Sequence, residues 1–198
     1  MSISFKEKQL AQRERAILEI ARKMFAEKGF HETNLNDVAQ EVGIARGTIY
    51  LHFPTKEDLL LAIINQAEAQ LLARLNQALG PEDDPVTKLR KVLAELLHTY
   101  GNYGDLIKVM SGELRRVVGR KLYGRGGVRP LPDFVQEIIN EGKEMGLINK
   151  DINTVVAANA LFSLVTIETY QELVLQGQIS TEEIVRSAVE IYLKGVKQ

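Results

Sequence analysis

The chain has 198 residues, of which 45% are apolar and 26% charged, with a net charge of −1 and no cysteine. That length suits one domain, or a large one with a small one, and the composition belongs to a packed core rather than a disordered chain. The missing thiols exclude disulfides, cysteine catalysis, thiolate zinc sites and iron–sulfur clusters.

Leu10, Ile17, Ala21, Met24 and Phe25 follow a helical period that Gly29 stops. Asn34 offers the N-cap of a short helix with Asp37 behind it; Leu35, Val38, Ala39 and Val42 form its apolar stripe, and Gly43 ends it. Thr55 with Asp58 predicts the next cap, before a long amphipathic run from Leu59 to Leu75 that ends at Gly80-Pro81. Asp84-Pro85 reads as N-cap and first helical residue, and the apolar period from Leu89 to Tyr100 predicts a helix up to Gly101. A helix is expected over 105–122, a glycine-rich loop from Tyr123 to Pro130, and a helix from Pro132 to about Gly146. Asp151 is expected to cap one long apolar helix to about Gln176, closed by Gly177, and Ser180 to Glu183 is a capping box for the last helix. No internal repeat and no strand-like alternation appear. The expectation is an all-α protein of about nine helices.

The most apolar stretch, Val155 to Ile167, is shorter than the roughly 20 residues of a membrane span, and Asn159, Ser163 and Thr166 interrupt it. Charges run through the N-terminal segment, so no signal peptide is expected, and a cytoplasmic location is. Residues 1–56 hold nine Lys/Arg against seven Asp/Glu, and residues 57–198 hold sixteen against nineteen. This small asymmetry permits a nucleic-acid partner at the N-terminal end.

Leu35 to Phe53 is the most informative stretch. A helix-turn-helix needs a small residue where its helices approach, met by Ala39, and backbone freedom at the turn, met by Gly43 four residues on. Val38, Val42, Ile44 and Ile49 would lock the pair over the first helix. The other face of the second helix then carries Arg46, Thr48, Tyr50 and His52, which can donate to phosphates and base edges. An ordinary helical hairpin shares the Ala39–Gly43 spacing. The flanks add Ala21-x-x-x-Phe25-x-x-x-Gly29-Phe30, Thr33, Asp37-Val38-Ala39, the run Gly43 to Phe53, and Lys56-Glu57-Asp58-Leu59-Leu60. Over residues 13 to 60, about a quarter of the chain, the sequence resembles the tetracycline-repressor (TetR) family of bacterial transcription regulators.

The resemblance implies a three-helix helix-turn-helix DNA-binding domain over 1–56 and a helical ligand-binding and dimerisation domain over 57–198. It implies a ligand-responsive repressor that binds a palindromic operator as a homodimer and leaves the DNA when a small-molecule effector binds. By position, Arg46, Gly47 and Thr48 correspond to groove-facing residues, and Tyr50, His52 and Lys56 to phosphate contacts. Thr33 and Asn34, at the start of the second helix, are placed to meet phosphate, since helix N-termini favour anions. Leu51 stands where many relatives carry a polar or aromatic residue.

In the remaining chain, Phe162, Val165, Thr169 and Leu173 form one candidate dimer seam, and Ile184, Ala188, Ile191 and Tyr192 another; burial within one protomer is the alternative. Asn159, Ser163, Thr166 and Tyr170 recur at helical spacing as a polar stripe, which either hydrogen-bonds across a dimer or lines a wet pocket. Further pocket candidates are Leu93, Leu97, His98, Tyr100, Tyr103, Met110, Phe134 and Ile138. Glu95-x-x-His98 matches half of a di-iron pair, but no second pair exists among three histidines, so no metal site is expected. The run from Arg115 to Arg129 holds six basic residues and no acid: a solvated face, an anion or DNA-flanking site, or partners for Glu14 and Glu19. Phosphate-cradle, nucleophile-elbow and zinc-protease motifs are absent, so neither catalysis nor a cofactor is expected. The alternative to a regulator is a protein-binding adaptor that kept the helix-turn-helix shape without reading DNA.

Overall fold

The computed structural model describes residues 5–109 and 130–196. They are helical, with no strand among the described residues. The helices are α1 (Phe5–Lys28), α2 (Leu35–Val42), α3 (Arg46–His52), α4 (Lys56–Ala78), α5 (Pro85–Val109), α6 (Pro130–Glu144), α7 (Thr154–Leu164), α8 (Ile167–Thr169) and α9 (Thr181–Val196). The described residues form two compact units: residues 5–66 with 105–109, and residues 67–104 with 130–196. The expected helix over 105–122 is observed up to Val109 as the end of α5; Met110 and the basic run Arg115 to Arg129 lie outside the described residues.

Side-chain caps start several of the helices. The Asn34 side chain accepts from the Asp37 amide at 3.0 Å, Thr55 Oγ1 from the Asp58 amide at 3.1 Å, and Ser180 Oγ from the Glu183 amide at 3.1 Å. Asp84 Oδ1 accepts from the amides of Val86 and Thr87, with Pro85 in the first helical position. These bonds occupy N–H groups that a helix start otherwise leaves open.

Two expectations fail for physical reasons. Gly101 does not end α5, which runs through it to Val109. A Cβ built on Gly101 would stand 3.0 Å from Tyr170 Oη, so the glycine makes room for that ring. The expected single helix from Asp151 to Gln176 is broken. Asn153 caps α7 in place of Asp151, whose own amide donates to Asn149 Oδ1. Helical geometry stops at Val165 (φ −131°, ψ 86°), and Thr166 caps α8 by accepting from the Thr169 amide at 3.2 Å. A threonine hydroxyl competes with the helix for backbone donors, and here it wins within the β-branched run Val165-Thr166-Ile167. The chain continues as a π-helical turn, Tyr170–Val174.

In the first unit the buried side chains include Ile17, Ala21 and Phe25 of α1, Leu35, Val38 and Ala39 of α2, Ile49 of α3, and Leu59, Leu60 and Ile63 of α4. In the second, α7 packs against both α6 and α9. Gly142 lets α6 close on the following turn: a Cβ there would stand 2.8 Å from Ile148 Cδ1. Buried Tyr192 donates to the Ala157 carbonyl at 3.0 Å, and Tyr100 to the Val165 carbonyl, freed by the helix break, at 3.3 Å. Burial pushes both phenols up to about 12, with the Glu168 charge adding to the effect at Tyr100.

A raised phenol pKa favours the neutral form in the fold. Its stabilisation is complete below the unfolded value near pH 10 and disappears as pH rises through the folded value. The melting temperature is therefore expected to fall between about pH 10 and 12, less steeply in Tyr192→Phe. Parallel melting-temperature profiles for the two proteins would contradict this.

Candidate nucleic-acid interface

The site is built by α2 and α3. Gly43 takes the left-handed conformation (φ 78°, ψ 32°), and its amide bonds to the Ala39 and Gln40 carbonyls. The Ile44 amide also returns to the Ala39 carbonyl, at 2.9 Å. The chain thus turns sharply into extended Ala45 (φ −65°, ψ 142°), which precedes α3. A side chain at position 43 would be strained in this conformation.

One face of α3 is fixed inward. Ile49 is fully buried, and Phe53, just past the helix end, is 5% exposed. Gly47 and Leu51 lie on the opposite face, with Tyr50 and Arg46 along one flank, all exposed; Thr48 and His52, on the other flank, are half-buried. Of the expected contact positions on this helix, Arg46, Gly47 and Tyr50 are therefore open, and Thr48 and His52 are partly covered. A cation, a phenol and bare backbone exposed on one short helix suit a polyanion with readable edges.

The other candidates are held by the protein itself. Thr33 is 1% exposed, and its hydroxyl donates to the Gly29 carbonyl at 2.8 Å, with the Met24 carbonyl at 3.3 Å. Asn34 is exposed, but its amide group donates to Asp37 Oδ2 at 2.6 Å while its oxygen caps α2. Lys56 Nζ donates to the carbonyls of Phe30 at 2.8 Å, His31 at 3.0 Å and Thr33 at 3.2 Å, and lies 4.6 Å from the Phe30 ring centroid. All three ammonium protons are thereby used to hold the α1–α2 loop onto the start of α4. Sequence reasoning missed this latch, since no spacing rule links a lysine to carbonyls some 25 residues away. Lys56→Met is expected to cost about 2 kcal/mol, because three carbonyls, two of them partly buried, lose a charged donor. The check is chemical denaturation, and an unchanged midpoint would contradict the latch.

In the second unit, Leu93, Leu97 and Ile138 are buried, while Tyr100, Phe134 and Thr166 are half-buried. Tyr103 donates to Gln70 Oε1 at 3.0 Å, and exposed His98 pairs with Asn102 at 3.0 Å. Glu95 binds Arg74 at 2.7 Å, and no cluster of three potential metal ligands occurs among the described residues. Asn159 and Ser163 are exposed and donate to the Val155 and Asn159 carbonyls of their own helix. Gln171 Nε2 is buried without a partner, beside Gly104; sequence reasoning gave no sign of it.

Of the candidate dimer residues, Val165, Ile184, Ala188 and Tyr192 are buried within the protomer, Phe162, Thr169 and Leu173 are half-buried, and Ile191 is 61% exposed. Val155 and Val156 on α7, absent from the sequence-based set, are also exposed. No described helix is long and apolar enough to cross a membrane.

Comparison with known proteins places this geometry. The family model for bacterial regulatory proteins of the tetR family matches residues 17–63. The HTH-type transcriptional regulator UidR of Escherichia coli is 27% identical over 87% of this chain and 84% of its own length. The uncharacterized HTH-type transcriptional regulator YuxN of Bacillus subtilis is 33% identical, but the match spans 52% of this chain and 36% of that protein. Among solved structures, Thermus thermophilus FadR, described as a TetR family transcriptional repressor in complex with lauroyl-CoA, superposes with a TM-score of 0.66 at 23% identity, covering 92% of this chain and 94% of that one.

Proposed function

Since the chain belongs to the tetR family of bacterial regulatory proteins, we propose that it is a sequence-specific transcriptional regulator that represses by holding a palindromic operator as a homodimer. One observation carries the reading. α3 is clamped by Ile49 and Phe53 and leaves Arg46, Gly47 and Tyr50 open on one face. Arg46 and the Gly47 backbone meet base edges, with Thr48 beside them; Tyr50 and His52 meet phosphate. Thr33 and Lys56 tie the α1–α2 loop to α1 and to the start of α4, and Asn34 caps α2, which keeps the reading helix in register. Residues 1–56 are the DNA-binding domain and residues 57–198 the ligand-binding and dimerisation domain. The role needs no catalysis and belongs in the cytoplasm, where the DNA lies.

Twofold symmetry follows from the task, because two half-sites one helical turn apart are read by two identical heads. The open apolar surface of α7 and α9, at Val155, Val156 and Ile191, supplies the dimer contact. The effector is a small molecule with an apolar tail, received among Leu93, Leu97, Tyr100 and Ile138; the lauroyl-CoA carried by the Thermus thermophilus protein gives the class to try first. The unpartnered Gln171 amide is a donor available to a carbonyl on such a ligand. An effector releases DNA only by binding the non-binding conformation better. Moving occupancy from 99:1 to 1:99 requires roughly 5.5 kcal/mol of such difference.

The test is enrichment from a random-sequence DNA pool by the purified protein at two salt concentrations. A palindrome with half-sites about one helical turn apart supports the proposal. No enrichment at either salt overturns it, and the adaptor reading replaces it.

A further inference from the structure

Leu51 is 87% exposed, more than any other large apolar side chain among the described residues. It lies with Gly47 on the face of α3 opposite buried Ile49, next to exposed Tyr50. Side chains on a helix tilt toward its N-terminus, so the surface beside Leu51 is that of Gly47, one turn back. Gly47 has no side chain, and a Cβ built there meets nothing within 4 Å. The reading helix therefore presents an isobutyl group beside bare backbone, within the face assigned above to the major groove.

The edges of the base pairs in that groove are polar except at one atom group, the 5-methyl of thymine. Cytosine carries only a hydrogen at that carbon and presents its amino donor on the neighbouring one, as adenine presents its own, and a leucine lying over either donor would strip water from it without replacing its hydrogen bond. We propose that Leu51 is a specificity residue that selects thymine at one position of each half-site by packing on its methyl group. The proposal rests on α3 being the DNA-reading helix, and its test separates the two.

The full-length protein is titrated with its selected operator and with duplexes in which single thymines are replaced by deoxyuridine. That replacement removes the methyl group and leaves base pairing intact. The wild type is expected to lose about fourfold in affinity at one thymine per half-site, and about fifteenfold when both half-sites are changed, as the burial of a methyl group implies. Leu51→Ala is expected to bind thymine and deoxyuridine duplexes equally while melting at the wild-type temperature. A wild type indifferent to deoxyuridine at every position overturns the methyl reading and leaves the regulator standing. So does a Leu51→Ala protein that loses as much as the wild type. Binding of the operator no tighter than scrambled DNA overturns the regulator itself, and this inference with it.

Discussion

Ile49→Ala is expected to destabilise the protein by about 2–5 kcal/mol, the range for truncating a fully buried β-branched side chain whose surroundings do not collapse. Ile49 is 0% exposed and is the buried residue of a seven-residue helix, so nothing else in α3 can replace its packing. The melting temperature should fall by roughly 5–15 °C. DNA affinity should fall for every sequence alike, because the reading face is displaced rather than altered chemically. Melting followed by circular dichroism at 222 nm decides the matter. A transition within a degree of the wild type would mean that α3 is held by something other than this side chain.

Arg46→Ala is expected to act in the opposite way, leaving the fold intact and removing discrimination. Arg46 is exposed at the first position of α3 and buries nothing. A guanidinium that reads a base in two hydrogen bonds contributes about 1–3 kcal/mol against the wrong base pair. Its removal should relax the selected consensus at one position per half-site by roughly 5- to 150-fold, and leave the other positions as they were. Affinity for random DNA should change little beyond the loss of one charge. An Arg46→Ala protein with unchanged base preference at every operator position would remove its assigned role.

What the sequence revealed and what it hid divide along the range of the interactions. The caps at Asn34, Thr55, Asp84 and Ser180 are local, each made within three residues, and the residue types alone announce them. The turn at Gly43 is legible for the same reason, and so is the alternation of Ile49 with the open residues around it. The break at Val165 is not legible, since the apolar period runs through it and only the competition of the Thr166 hydroxyl stops the helix. Gly101 misleads in the other direction: it looks like a stop and serves a close approach of Tyr170. The Lys56 latch depends on backbone carbonyls a long way off in sequence, which no residue type advertises. The helices at the C-terminal end show the same limit. Periodicity marks Ile184, Ala188 and Tyr192 as apolar-face residues, but only the packing of α9 shows that they point inward while Ile191 points out.

The central claim is that α3 reads sequence, not merely charge. The most direct measurement compares affinity for the selected palindrome with affinity for a scrambled duplex of the same composition, in one buffer near physiological salt. A sequence-specific regulator is expected to prefer the palindrome by about a thousandfold or more. Equal affinity for the two duplexes would contradict the account.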